Sequence, residues 1–201
     1  MQVYQIKVTL RDVRPPIWRR LQVPSTLTLG QLHRVLQIAM GWTNSHMHQF
    51  TVCGECIGTP DPDDPWGGPA FSERKYRLDQ IVQATSRFTY EYDLGDGWTH
   101  DVVIERAADL AELLPDHICI EGRRACPPED CGGPHGYAAL VIALSNPKHP
   151  EHKERLEWLG SHWEPDAFDI DAVNRQLRPL AAKWRPRGTG RSRASARTAT
   201  N

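Results

Sequence analysis

Two histidines separated by one residue, His46 and His48, are the first candidates for a metal site in this sequence. They fall in the segment 46–51, which we predict to be a short strand, so both imidazoles would point to the same face. Imidazoles paired in this way can bind a metal ion. Asp93 and His100, on the two sides of a predicted hairpin, would add a carboxylate and a third imidazole. These four side chains predict a divalent-metal site, with zinc or manganese favoured by the mixed nitrogen and oxygen ligands.

The hairpin is predicted from the dipeptide Asp96-Gly97. Asp-Gly is a preferred sequence for a two-residue turn, and the runs on either side of it alternate as strands do. Such a turn would place Asp93 directly opposite His100. A structural role is the alternative, because the carboxylate of Asp93 can brace the turn through backbone amides and strand histidines are often satisfied by hydrogen bonds alone.

A second candidate site lies in residues 126–137, "CPPEDCGGPHGY". Its prolines and glycine pair exclude a helix or a central strand, so we predict a rigid loop. In a structural role, Glu129 or Asp130 would cap the helix that follows. In a chemical role, the same carboxylates would bind metal or act as general acid or base in a metal-assisted hydrolase, with His100 or His135 assisting. The candidate residues of the loop are Cys126, Glu129, Asp130, Gly132, Gly133 and Tyr137.

The chain has five cysteines and no secretion signal, so a disulfide framework is not expected. Cys53 and Cys56 have a spacing typical of zinc ligands, and Cys126 and Cys131 form a wider pair. Together they are an alternative, all-thiolate zinc site. The first pair is equally consistent with the end of a strand.

The hydrophobic periodicity predicts early strands, one helix, more strands and terminal helices, which is an α+β layout. The helix of residues 29–40 is the clearest element, with Thr28 and Gln31 as a capping box and Gly41 at its end. A helix is also predicted over 107–115. The other predicted strands are 3–10, 17–23, 87–94 and 98–105, and the other predicted helical segments are 76–82, 137–146, 150–160 and 169–184.

The net charge of −1 conceals a basic C-terminal tail. Residues 185–201 contain no acidic residue, and their five arginines leave about −6 on the remainder. We predict that residues 1–184 form one domain and that the tail is disordered. The tail is expected to make weak, nonspecific contact with nucleic acid. The arginines of the tail are Arg185, Arg187, Arg191, Arg193 and Arg197. A second basic segment, with Arg11, Arg14, Arg19 and Arg20, favours a DNA-binding role only weakly, because the body is acidic.

Seven motifs occur in a fixed order along the chain: "PPIWRRLQVPSTLTLGQLHRVLQIAMGW", "HMHQF", "PDPDD", "YEYDLGDGWTHDVVIE", "ACPPEDCGGPHGYAAL", "NPKHPEHKERLEWLG" and "FDIDAVNRQL". In this order they resemble the plasmid pRiA4b open-reading-frame-three-like family, whose members are sometimes labelled passenger proteins of insertion elements. The resemblance covers roughly residues 3–180. It implies a single α+β domain with a strongly bent, mixed sheet and helices packed against it, and it implies no particular reaction.

From these observations we expect a cytoplasmic, mobile-element-associated protein that is a binding or accessory module rather than an enzyme. No run of about 18 apolar residues predicts a membrane span. The alternative function is a divalent-metal-binding protein, extending to a metal-assisted hydrolase, that uses the histidine and aspartate site.

Overall fold

The computed structural model describes residues 2–61, 68–109, 118–160 and 163–184. Within these ranges the chain forms eight strands and five helices. In chain order they are β1 Gln2–Leu10, β2 Trp18–Pro24, α1 Leu29–Met40, β3 His48–Val52, β4 Glu55–Gly58, β5 Phe71–Ser72, α2 Leu78–Ala84, β6 Arg87–Tyr92, β7 Trp98–Asp109, β8 Cys119–Arg123, α3 Gly133–Ser145, α4 His152–Leu159 and α5 Ile170–Trp184.

The strands form one mixed sheet in the order β5-β4-β3-β6-β7-β1-β2-β8. All neighbouring strands are antiparallel except β4 and β5. In β1, Ile6, Val8 and Leu10 are buried, whereas the alternating polar residues on the other face are half-buried. The inner face therefore builds the core, and the predicted α+β class is confirmed.

Helix α1 closes the core over the sheet. Its start is the predicted capping box, in which Thr28 Oγ1 accepts from the Gln31 amide and the Gln31 side chain accepts from the Thr28 amide. Its end is Gly41, whose φ of 96° lies in the left-handed region that glycine adopts readily. The buried side chains of the helix, Leu32 and Leu36 among them, belong to the same core as the sheet.

Helix α5 covers the outer edge of β8. The side chain of Asn174 accepts a hydrogen bond from the Cys119 amide at 2.9 Å and donates one to the Cys119 carbonyl at 2.7 Å. A buried amide thus pairs with the backbone groups that an edge strand would otherwise leave open. This contact attaches the C-terminal helix to the sheet.

The β6–β7 hairpin differs from the prediction. Tyr90 pairs with His100 and Tyr92 with Trp98, so Asp93 does not lie opposite His100 and a five-residue loop replaces the two-residue turn. The observed register pairs buried residues with buried residues on the inner face. Because a sheet with one buried face specifies its register through that face, burial of these aromatic residues overrides the preference of the Asp-Gly dipeptide.

Two further boundaries differ from the sequence prediction. The third strand starts at His48, so His46 lies before it and the two imidazoles are not held on one strand face. Residues 107–109, predicted to start a helix, instead continue β7 and pair with the first residues of β1. The remainder of that predicted helix lies outside the described residues, as do residues 185–201 with their arginines.

The basic segment near the N-terminus is largely neutralised within the fold. Arg11 forms an ion pair with Asp101, and Arg20 contacts both Glu105 and Glu121. Arg19 is buried. Three of the four arginines in this segment, Arg11, Arg19 and Arg20, are therefore paired or buried and are not available for contacts with phosphates. In the described part of the chain, no helix has the length and apolar character needed to cross a membrane.

Candidate metal centre

The structure brings one imidazole and three carboxylates together at one end of the sheet. His46 Nε2 lies 3.2 Å from Asp130 Oδ1, 3.7 Å from Asp93 Oδ2 and 3.7 Å from Glu129 Oε2. Ligand atoms of His46, Asp93 and Asp130 all lie within 4.8 Å of one another. His46 Nε2 is buried and makes no hydrogen bond within the described residues. We call these four residues the His46 centre.

Three loops position the His46 centre. His46 lies between α1 and β3, Asp93 begins the loop after β6, and Asp130 lies in the loop before α3. The Asp93 amide donates to the Met47 carbonyl at 2.8 Å, and the Gly132 amide donates to Asp96 Oδ2 at 3.1 Å. Each loop is therefore attached to another by a hydrogen bond.

Asp93 has two separate tasks. Its Oδ1 accepts from the amides of Gly95 and Asp96 at 3.1 and 3.2 Å, which braces the loop, while its Oδ2 faces His46. Its φ of 55° and that of Asp130, 56°, lie in the left-handed region, which aspartate tolerates better than most residues. The turn that carries Asp93 thus also orients its free oxygen toward the centre.

Glu129 is oriented by neighbours rather than by the helix after it. Its Oε1 accepts from the Thr43 amide at 2.8 Å, from Thr43 Oγ1 at 3.0 Å and from Tyr92 Oη at 3.1 Å. Burial, together with the Glu129 carboxylate, raises the pKa of Tyr92 to about 12, so the phenol remains a donor. The start of α3 receives no side-chain cap: Gly132 occupies the capping position, which corrects the predicted cap by Glu129 or Asp130.

His48 belongs to a different cluster. Its Nε2 lies 2.7 Å from Glu73 Oε2, and its ring stacks on that of His33 with centroids 3.4 Å apart. The His33 ring is held in turn by Tyr90 Oη at 2.8 Å and Asn44 Oδ1 at 2.6 Å. Neither His33 nor Glu73 was predicted from the sequence. For His33, the available signal was its polar side chain on the buried face of the amphipathic helix α1.

His100 is fully buried in the core. Its Nδ1 donates to the Tyr90 carbonyl at 3.2 Å, and its ring lies edge-on to Trp42 with centroids 5.2 Å apart. Burial lowers its pKa to about 4. Of the four predicted ligands, only His46 and Asp93 meet, and His100 is not placed to assist Glu129. The other predicted assistant, His135, is exposed on α3.

The five cysteines, all within the described residues, belong to no group of three or more potential ligands. Cys53 is exposed in the turn between β3 and β4, whereas Cys126 and Cys131 lie in the loop before α3. Burial raises the pKa of Cys131 to about 12 and that of Cys126 well above its usual range. The two cysteine pairs lie in different loops and form no ligand group, so the all-thiolate site has no support from their placement.

The loop before α3 is packed tightly on the loop that carries Asp93. Gly133 has a φ of 67°, and a Cβ at this position would lie 2.4 Å from the Asp96 carbonyl oxygen. Tyr137, one turn later, is buried and packs edge-on to Trp163 at 6.0 Å. The glycine therefore permits the close approach that brings Asp130 to His46.

We expect Gly133→Ala to lower the free energy of unfolding by about 2 kcal/mol, because backbone strain and a clash with a carbonyl oxygen combine. Gly160→Ala is a matched control: its φ is 61°, but nothing lies within 4 Å of its Cβ position. The control should lose about 1 kcal/mol from strain alone. Urea denaturation measures both, and equal losses would show that the close approach to Asp96 contributes nothing.

Comparison with known proteins identifies relatives over almost the whole chain. The chain is 43% identical over 185 residues to "Uncharacterized protein y4hQ" of Sinorhizobium fredii, covering 90% of this chain and 94% of that protein. It is 24% identical to a segment of a "Probable phosphoketolase" of Nocardia farcinica, over 86% of this chain but 18% of that protein. Because the match covers so small a share of the phosphoketolase, the activity in its name is not transferred to this chain.

A solved structure has the same fold. The crystal structure titled "Protein of Unknown Function MM3350", from Methanosarcina mazei Go1, superposes with a TM-score of 0.77 at 35% identity. The match covers 86% of this chain and 96% of that one. The family model described as "Plasmid pRiA4b ORF-3-like protein" matches residues 2–172. The chain therefore belongs to the plasmid pRiA4b ORF-3-like protein family.

Proposed function

We propose that this protein is a non-catalytic binding module that holds a divalent metal ion at the His46 centre. The observation that carries the proposal is a buried imidazole nitrogen without a hydrogen bond, within 3.7 Å of three carboxylates. Carboxylates in such proximity repel one another, and a cation at their centre offsets that repulsion. The site therefore has the charge and the ligand types of a metal centre.

The spacing of the ligand atoms supports the same proposal. Two ligands that each lie about 2.1 Å from a shared ion are separated by about 3 to 4.2 Å, depending on their angle. The distances from His46 Nε2 to Asp130 and Asp93 are 3.2 and 3.7 Å. Small movements of exposed Asp130 would complete the geometry. One nitrogen and two or three oxygen ligands favour zinc or manganese.

A metal-assisted hydrolase is the second candidate, and Glu129 is the residue that favours it. Its Oε1 is engaged by Thr43 and Tyr92, whereas its Oε2 accepts only one longer hydrogen bond, from Tyr92 Oη at 3.3 Å, and lies 3.7 Å from His46 Nε2. A carboxylate held beside a metal can accept a proton from a bound water. Metal-dependent ester or phosphoester hydrolysis that is abolished by Glu129→Gln would favour this candidate.

The direct test is metal content, measured by elemental mass spectrometry on untagged protein purified without chelator. We expect close to one zinc or manganese ion per chain, and at least about tenfold weaker binding in His46→Ala and in Asp93→Asn. Asp93→Asn keeps the side-chain oxygen that braces the loop and removes the charge, so it separates metal binding from folding.

His135→Ala is the matched control, because it removes an exposed imidazole from the neighbouring helix. It should bind metal as the unchanged protein does. Metal retained by the His46→Ala, Asp93→Asn double variant would contradict the proposal, and loss on Cys53→Ser would move the site to thiolates. Absence of zinc and manganese binding in calorimetric titrations would also contradict the proposal.

A further inference from the structure

A groove at the β8 edge of the sheet combines two cations that form no ion pair within the described residues with an aromatic side chain. It has a volume of about 760 Å³, within the range of small-ligand sites. Its walls come from the segment that leads into β2, from the end of β8 and from the segment before α5. We call it the Trp18 groove, and its residues used below are Lys7, Pro15, Pro16, Trp18, Arg123 and Phe168.

The register of the strands assembles the polar part of the groove. Trp18 of β2 lies directly opposite Arg123 of β8, so both side chains stand on the outer face of the sheet. Lys7 of β1 reaches the same indole from the other side, with Nζ 4.9 Å from the ring centroid. Arg20 also lies over the ring, with Cζ 5.3 Å from its centroid, so three neighbouring strands place one indole among three cations.

The charges that line the groove do not cancel. Its two carboxylates are already engaged, because Glu121 pairs with Arg20 and Asp166 pairs with Arg124 at 3.2 Å. Lys7 and Arg123 have no carboxylate within ion-pair distance among the described residues. Arg20 is shared between Glu105 and Glu121, so the cations that line the groove, Lys7, Arg123 and Arg124, exceed its carboxylates by one positive charge.

The indole adds a neutral donor. Trp18 is half-buried, and its Nε1 makes no hydrogen bond to any described residue, whereas the indoles of Trp42 and Trp163 each donate to a backbone carbonyl. Unlike the buried Nε1 of Trp98, which has no partner among the described residues, this N–H is open to solvent. An oxyanion in the groove would replace water as its acceptor.

We propose that the Trp18 groove binds a small organic phosphate. A phosphate monoester carries a charge of about −1.5 to −2 at neutral pH and presents three acceptor oxygens, enough to contact Lys7, Arg123 and the indole at once, whereas a carboxylate presents two. The phosphate lies between Lys7, Arg123 and the indole N–H. The organic part packs against Pro15, Pro16 and Phe168, which form the apolar walls.

A small ligand fits this surface better than a nucleic acid strand. Beyond the groove, the outer face of the sheet carries negatively charged side chains, those of Glu91, Asp101 and Glu105 on β6 and β7. A polyanion that followed the sheet would meet these carboxylates.

The test is an NMR titration of chelator-treated protein with adenosine monophosphate, inorganic phosphate and adenosine. The indole N–H resonance of Trp18, assigned with Trp18→Phe, reports binding at the groove. We expect a saturable shift with the monophosphate and with inorganic phosphate, in the millimolar range or tighter, and none with adenosine. Removing metal beforehand makes the result independent of the His46 centre.

The Lys7→Gln, Arg123→Gln double variant should weaken monophosphate binding by about tenfold or more, since it removes both charge-assisted contacts. Arg87→Gln removes an exposed cation from the same sheet face outside the groove and should change affinity less than about twofold. The proposal is overturned by an unmoved Trp18 resonance, by equal shifts with adenosine, or by equal effects of the two variants. Tighter binding of a single-stranded oligonucleotide, with the same dependence on Lys7 and Arg123, would overturn the assignment to a small ligand.

Discussion

Lowering the pH from about 6.5 to about 4 is expected to reduce the free energy of unfolding by about 3 kcal/mol for each of two histidines, His33 and His100. Burial lowers the pKa of both from 6.5 to about 4 in the folded protein. Each is therefore neutral when folded and becomes protonated when unfolded. The stabilising contribution is complete above pH 6.5 and is lost as the pH falls toward 4.

The hydrogen bonds of His33 explain why its neutral form is required. Gln37 Nε2 donates to Tyr90 Oη at 2.9 Å, so the phenol donates its own proton to His33 Nδ1. His33 Nε2–H then donates to Asn44 Oδ1. Protonation at Nδ1 would place two donors against each other, and it would add positive charge beside the stacked ring of His48.

Urea denaturation at a series of pH values measures this effect. His100→Leu removes one titrating group from the core and should reduce the loss between pH 6.5 and 4 by about half. His135→Ala, at an exposed position, should leave the pH dependence unchanged. A free energy of unfolding that stays constant over this interval would show that neither buried imidazole resists protonation.

Arg19→Met is expected to lower the free energy of unfolding by about 3 to 5 kcal/mol. Arg19 is 1% exposed, and the central carbon of its guanidinium, Cζ, lies 3.9 Å from the Phe168 ring centroid. No described carboxylate pairs with it. Instead it donates to four backbone carbonyls, those of Trp18, Ala39, Arg123 and Arg124. The substitution leaves these buried acceptors without a donor.

Arg20→Met is the matched control, because Arg20 follows in the same strand but lies on the outer face, with ion pairs to Glu105 and Glu121. It should cost about 1 kcal/mol or less, as partly exposed ion pairs do. Arg19→Lys should cost nearly as much as Arg19→Met, since an ammonium lacks the planar fork that reaches three segments. Equal losses for Arg19→Met and Arg20→Met in urea denaturation would contradict this account.

Local sequence was sufficient for most of the secondary structure. The alternation of residues 3–10 and the capping residues Thr28 and Gln31 predicted elements that the structure contains. These features depend on neighbours within about four residues, so the sequence carries them directly. The asymmetry between acidic body and arginine tail is likewise a property of the sequence, although the tail lies outside the described residues.

The candidate site depended on longer-range packing. His46 and Asp93 were identified as metal ligands by residue type, but the expected partners His48 and His100 belong elsewhere. Asp130 was identified as a further oxygen ligand only by residue type, within a loop whose position in the fold was not predicted. What brought it to His46 is the close approach of Gly133 to Asp96, which no pattern in either segment reveals.

Sequence motifs and periodicity were sufficient to identify the family, the α+β class and the residue types available for chemistry. Long-range packing selects which of those residues meet. Asp-Gly favours a two-residue turn locally, but burying Tyr90, Tyr92 and Trp98 on one face of the sheet set the hairpin register. Apolar burial of several large side chains outweighs the preference of one turn dipeptide, and side-chain partners follow from the register that burial selects.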